Sequence, residues 1–286
     1  MDTIEGGLFN IQKIEEQLNY NFLIRNRNNP VRRGRFEWTN GFGSDVEFIH
    51  DNKGARFDIA WLQEPELRNK KEKVGGHWKP SNGWMGVGGL DPYVVDVAEY
   101  GGSKGAIYFF NKDNPRAPQN TFVLQYLHRP PFIADFYEDA LKAAVYYGYP
   151  IMMEQTSNEL VHTFINWGYG HYLLNRPRMS INPAERTSTK LAKKGLPPQP
   201  EIIRDLDNFT SDYINRYVGY DDEGEIGEMY FNRLLEDWKK YDPHKRTKYD
   251  ATVAAAHALY AAKIDIRGGY DDSEKKAPVI ARTFRL

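Results

Sequence analysis

Apolar residues recur at helical spacing in Ile11, Ile14, Leu18 and Phe22. This predicts a helical lead-in within residues 1–33, running into the basic, Asn-rich stretch Arg25 to Arg33. Alternation then takes over. Arg35-Phe36-Glu37-Trp38-Thr39 and Val46-Glu47-Phe48-Ile49-His50 both alternate, and the turn Asp51-Asn52-Lys53-Gly54 leads into Arg56-Phe57-Asp58-Ile59-Ala60-Trp61. Residues 34–62 therefore read as short strands. Residues 63–82 are polar and charged, with Lys70-Lys71-Glu72-Lys73, and read as a linker or exposed loop.

From Gly83 the pattern changes again. Strands are predicted at 84–90, 105–111 and 121–128, the first two joined by the Gly-rich Tyr100-Gly101-Gly102-Ser103 in a hairpin-type connection. An amphipathic helix follows over 132–147, with Phe136, Ala140, Ala143, Ala144 and Tyr147 on one face. A buried strand at 150–154 and a helix at 157–167, capped by Ser157 or Asn158, come next. Residues 176–200 hold five prolines and the polar run Arg186-Thr187-Ser188-Thr189-Lys190, and read as a long loop of the kind that often carries function. Helices resume at 201–217, 225–240 and 249–263. Hairpin strands followed by strand-helix alternation imply an α/β fold, a mixed sheet covered by helices. The expected division is a helical lead-in and small β-rich extension over 1–80, a main domain over 81–270 and a tail over 271–286.

Three acids end or open apolar segments. Asp91 follows Trp84-Met85-Gly86-Val87-Gly88-Gly89-Leu90, Glu154 follows Pro150-Ile151-Met152-Met153, and Asp250 opens the Ala-rich helix. A carboxylate at the end of a buried strand is costly unless a positive charge compensates it. Three that converge from distant parts of the chain can hold divalent ions, which points to metal-dependent phosphoryl transfer, foremost by a nuclease. In a two-metal site Asp91 would bridge the ions, with Glu154 and Asp250 each taking one. Taken singly, each acid also reads as a turn, loop or helix-start residue. Asp96 lies near Asp91 and is a further candidate for the metal or its waters. His257, seven residues after Asp250 on the same helix face, reads as a group supporting the site, as a general acid, or as a core histidine. Candidate DNA contacts are Arg32, Arg33 and Arg35, the 69–73 run, and above all Arg186, Lys190, Lys193 and Lys194, where hydroxyls and cations suited to phosphates combine. Each cationic run also reads as a solvated face.

Composition narrows the classes. A chain of 286 residues with 14% aromatic content suits a folded globular protein. Its net charge of −1 neither advertises nor excludes nucleic-acid binding, since a basic patch and an acidic site cancel in the sum. The absence of cysteine removes disulfides and thiolate metal sites. No apolar run reaches the roughly 20 residues of a membrane helix. Met1-Asp2-Thr3-Ile4-Glu5 has neither the basic nor the apolar region of a signal peptide, so an intracellular protein without a membrane anchor is expected.

Four segments together resemble the C-terminal nuclease domain of the large terminase subunit of tailed bacteriophages. They are Val87-Gly88-Gly89-Leu90-Asp91-Pro92 with Gly105-Ala106-Ile107-Tyr108; Phe136 to Ala144 before Ile151-Met152-Met153-Glu154 and Asn158; Gly168-Tyr169-Gly170-His171-Tyr172-Leu173; and Tyr249-Asp250-Ala251-Thr252-Val253-Ala254-Ala255-Ala256. The likeness covers residues 34–265, including a β-rich stretch like the one that precedes this nuclease. It implies an RNase H-like fold and an endonuclease that uses two divalent ions, Mg²⁺ or Mn²⁺, to cut concatemeric viral DNA during genome packaging. It carries the acidic ligands onto Asp91, Glu154 and Asp250. The implied partners are double-stranded DNA, a packaging ATPase domain, the portal and the small terminase subunit, in the host-cell cytoplasm. Ser103-Lys104 stands where the family often has a further Asp, so a metal contact there is not expected. No G-x-x-x-x-G-K-[ST] occurs, which implies a nuclease domain without its motor, or a motor on another polypeptide. The alternatives are another RNase H-like nuclease, such as a Holliday-junction resolvase or RNase H proper, and a non-catalytic portal- or DNA-docking module.

Overall fold

In a computed structural model, the structure describes residues 8–93, 103–177 and 194–264. The chain begins with helix α1 (Ile11–Leu23) and strands β1 (Arg32–Trp38), β2 (Val46–His50) and β3 (Phe57–Ile59). A short helix α2 (Pro65–Asn69) and the strands β4 (Lys71–Val74) and β5 (His77–Pro80) precede β6 (Gly86–Asp91), β7 (Gly105–Asn111) and β8 (Thr121–His128). Helix α3 (Ile133–Tyr147), strand β9 (Ile151–Met153) and helices α4 (Glu159–Asn166), α5 (Pro200–Tyr217), α6 (Asn232–Lys240) and α7 (Asp250–Lys263) complete it.

Seven strands form one mixed sheet in the order β2-β1-β3-β8-β7-β6-β9. The β6-β7-β8 meander is antiparallel, whereas β9, reached through α3, pairs parallel to β6. This is an α/β arrangement consistent with an RNase H-like fold. The strands from residues 34–62 do not form a sheet of their own. β3 pairs with β8 through Phe57↔Tyr126 and Ile59↔Leu124, so the β-rich stretch extends the main sheet. Residues 63–82 are also more ordered than a linker: Lys71↔Pro80 and Val74↔His77 close a two-stranded hairpin around Gly75-Gly76, both at positive φ. Among the described residues, no helix is long and apolar enough to cross a membrane.

The sheet buries both faces, which is why β6 and β7 read as continuous apolar runs rather than as alternating ones. Along β7, Ile107 and Phe109 point into a core with α3, including Phe136 and Ala140. Ala106, Tyr108 and Phe110 point to the opposite face and pack with α6 and α7, including Trp238 and Ala254. A third cluster joins Val87 and Met152 to Ala256 and Tyr260 of α7 and to Ile202 and Leu206 of α5. Helix α7 lies very close to the sheet. A Cβ at Gly89 would collide with the Ala254 carbonyl and the Ala258 amide, so this contact requires glycine on the strand and alanines on the helix.

Candidate functional site

The close approach at Gly89 sets where the acids fall. Gly89 abuts Ala254, one turn into α7, and Asp91 lies two residues further along β6, toward the first turn of α7 where Asp250 stands. On the other side of β6, Leu90 pairs with Met153 of the parallel β9, and the Glu154 amide donates to the Leu90 carbonyl at 2.9 Å. Strand register thus sets Asp91 and Glu154 side by side at one end of the sheet. The three acids, expected from sequence to converge, are brought to the same end.

Asp91 is only 8% exposed, and its pKa is raised well above the usual carboxylate range by burial, by the Glu154 and Asp250 charges, and by a Glu154 carboxyl within hydrogen-bonding reach. Arg246 offsets part of this. Glu154 is buried and ion-paired to Arg246 Nη1. Asp250 is half-buried and accepts from the Ser103 hydroxyl at 2.6 Å and the Lys104 amide at 2.7 Å. Its pKa is raised by burial, against the lowering effect of those two bonds. Ser103 and Lys104 thus hold the third carboxyl, and Arg129 in turn donates to the Ser103 carbonyl at 2.6 Å. Among the described residues, no three carboxyl or imidazole groups meet at a common point close enough to hold one ion. The reason is local: Glu154 is turned to Arg246 and Asp250 to Ser103-Lys104. The donor set still fits hard divalent cations, because it is all oxygen and its central acid is buried against like charge.

The chain matches no family model and no curated protein.

The remaining candidates divide. His257 Nδ1 bonds to the Val253 carbonyl of its own helix at 2.8 Å, while Nε2 is buried without a partner among the described residues. Burial lowers its pKa to about 4, so it is a neutral imidazole near Glu154 rather than a proton donor at neutral pH. Lys194 is half-buried, with its amine on the Leu173 carbonyl at 2.8 Å, which leaves it less available to phosphate than expected. Arg33 pairs with Asp58 at 3.2 Å, Arg35 with Glu37 and Asp51, and Lys71 with Asp45. Asp96, Arg186, Lys190 and Lys193 lie outside the described residues.

Two residues were not singled out from sequence. Asp237 of α6 accepts from the Thr252 amide at 3.4 Å, at the start of α7, and burial raises its pKa to about 6, with Asp250 adding to the rise. It ties α6 to the first turn of α7. Arg246, in the 3₁₀ stretch Pro243–Lys248, is the cation at the carboxylates. Its charge within Lys245-Arg246-Thr247-Lys248 reads as a solvated face, and only the contact across 92 residues to Glu154 distinguishes it.

Proposed function

We propose that this chain is a divalent-metal-dependent endodeoxyribonuclease of the terminase nuclease kind, acting on double-stranded viral DNA during genome packaging. The observation that carries the reading is the gathering of Asp91, Glu154 and Asp250 where β6, β9 and the start of α7 meet, with Asp91 buried against two like charges. Such a cluster is unfavourable on its own and becomes favourable with cations. Asp91 at the end of β6, Glu154 just after β9 and Asp250 at the start of α7 would hold the ions. Bound Mg²⁺ or Mn²⁺ supplies an activated water and stabilises the leaving oxygen of the phosphodiester. The chain's own part is orientation. β6 and β9 fix two carboxyls by register, and Ser103 and the Lys104 amide hold the third. The His257 ring, neutral and buried, lines the protein side.

A packaging ATPase, the portal and the small terminase subunit are the partners this reading brings with it, and the cytoplasm of an infected host cell is its setting. Linear duplex, a four-way junction and an RNA–DNA hybrid, each offered with Mg²⁺ or Mn²⁺, separate the readings. Metal-dependent cutting of linear duplex with little sequence preference is the expected result. Cutting confined to junctions or to the RNA strand would replace it with a resolvase or RNase H, and metal binding by calorimetry that proved absent would favour a docking module.

A further inference from the structure

Arg246 occupies an unusual position for a residue on a polar segment. Its side chain is 10% exposed and that of Glu154 is 8% exposed, so the pair is taken out of water together. Nη1 serves Glu154, but Nη2 is buried with no hydrogen-bond partner among the described residues. A guanidinium committed to a permanent structural pair normally has its donors satisfied. Here one is left over, beside a carboxyl whose partners, Asp91 and Asp250, are also acids. The backbone that carries Arg246 is not a regular helix: neighbouring Lys245 has φ −125° and ψ 31°, inside the short stretch Pro243–Lys248.

One monovalent cation is therefore doing part of the charge compensation that the site needs. Glu154 Oε1 is engaged by Arg246, so an ion taken up there competes with that contact, and a fixed positive charge repels an incoming dication. We propose that Arg246 is an internal latch: it holds and neutralises Glu154 when no ion is bound, opposes and yields to an incoming divalent ion, and so sets the cation concentration at which the site loads. This rests on the metal-site reading above. It goes beyond it by assigning a regulatory role to a residue that is not itself a ligand.

The test is Mn²⁺ titration by calorimetry at constant pH and ionic strength, on wild type, Arg246→Lys and Arg246→Gln, with circular dichroism to establish folding. Removing the charge should tighten Mn²⁺ binding by about tenfold or more. Arg246→Lys, which keeps the charge with fewer donors, should fall between, and that pair alone decides the matter if the Gln variant does not fold. In a Glu154→Gln background, the Arg246→Gln effect should shrink to the direct repulsion between guanidinium and ion alone, because the carboxyl to be released is gone. Mn²⁺ affinity that is unchanged or weaker in both Arg246 variants overturns the latch, as does an absence of Mn²⁺ binding in every form. The nuclease reading fails separately: tighter Mn²⁺ binding in the variants with no DNA cutting by wild type would leave the latch standing and remove the nuclease.

Discussion

Replacing Asp91 with Asn should make the metal-free protein more stable while abolishing the proposed nuclease activity. Asp91 ends a strand whose residues are all buried, and it faces Glu154 and Asp250 with Arg246 as the compensating cation among the described residues. Its carboxyl is raised in the folded state, so the sign is fixed. The stability associated with this group is present when it is protonated and is lost as pH rises through the folded-state pKa. At pH 8 in EDTA the wild type bears that cost, and Asn, of nearly the same shape, does not. Each unit of raised pKa corresponds to about 1.4 kcal/mol. A gain of about 1–3 kcal/mol is expected for removing one buried like charge partly offset by an arginine. In a domain of this size that is a rise in melting temperature of about 3–8 °C. Differential scanning fluorimetry in EDTA reads it directly. The gain should narrow at pH 5, where the wild-type carboxyl can protonate. Mn²⁺ should stabilise the wild type and not the variant. A variant that melts at or below the wild type in EDTA at pH 8 would refute the reasoning, because the acids would then not be in electrostatic conflict.

Other consequences follow from the packing and from the buried charges. Gly89→Ala should destabilise by about 2–4 kcal/mol in urea unfolding, since the new Cβ meets helix backbone rather than a movable side chain; a change below about 0.5 kcal/mol would mean α7 can retreat from the sheet at little cost. Arg56 pairs with Asp139 of α3 at 2.6 Å, and Asp139 is almost wholly buried with a pKa raised to about 6, chiefly by desolvation. Arg56→Met should cost about 2–4 kcal/mol at pH 8, measured by urea unfolding, with the loss smaller at pH 5 where Asp139 is neutral. Burial holds the His257 pKa near 4, below that of the unfolded chain. Its contribution is present above the unfolded pKa and is lost as pH falls from about 6.5 toward 4, by up to about 3 kcal/mol. Replacing it with Asn should flatten the pH dependence of the urea midpoint in that window.

The central strands and α3 and α7 are legible in the sequence because local and global demands agree there. Residues 105–111 and 121–128 are strands over the spans their composition implies, and α7 begins at Asp250 as its alanine run implies. Elsewhere tertiary contacts decide. The helix expected over 225–240 begins only at Asn232, because Gly227 packs against the Tyr217 carbonyl and its amide bonds to that of Gly219. The hairpin at 71–80 is hidden by its charges, although Gly75-Gly76 is the kind of pair that turns a hairpin. That strands β1 to β3 continue the main sheet depends on pairing with β8, about 67 residues from Asp58 to Gln125, which no local pattern records. The same holds at the site. The three acids stand out because each interrupts an apolar segment, whereas Arg246 and Asp237 sit in charged surroundings and gain meaning only from Glu154 and the start of α7. Only the fold reveals that the Ser103 hydroxyl and the Lys104 amide hold Asp250.

The central claim is that Asp91 anchors a metal-dependent nuclease. Supercoiled plasmid incubated with purified protein and Mg²⁺ or Mn²⁺, beside EDTA and Asp91→Ala controls, tests it most directly. Nicking and linearisation that require the metal and vanish in folded Asp91→Ala are the expected result. Cleavage that persists undiminished in Asp91→Ala, or no cleavage by folded wild type with either metal, would contradict the account.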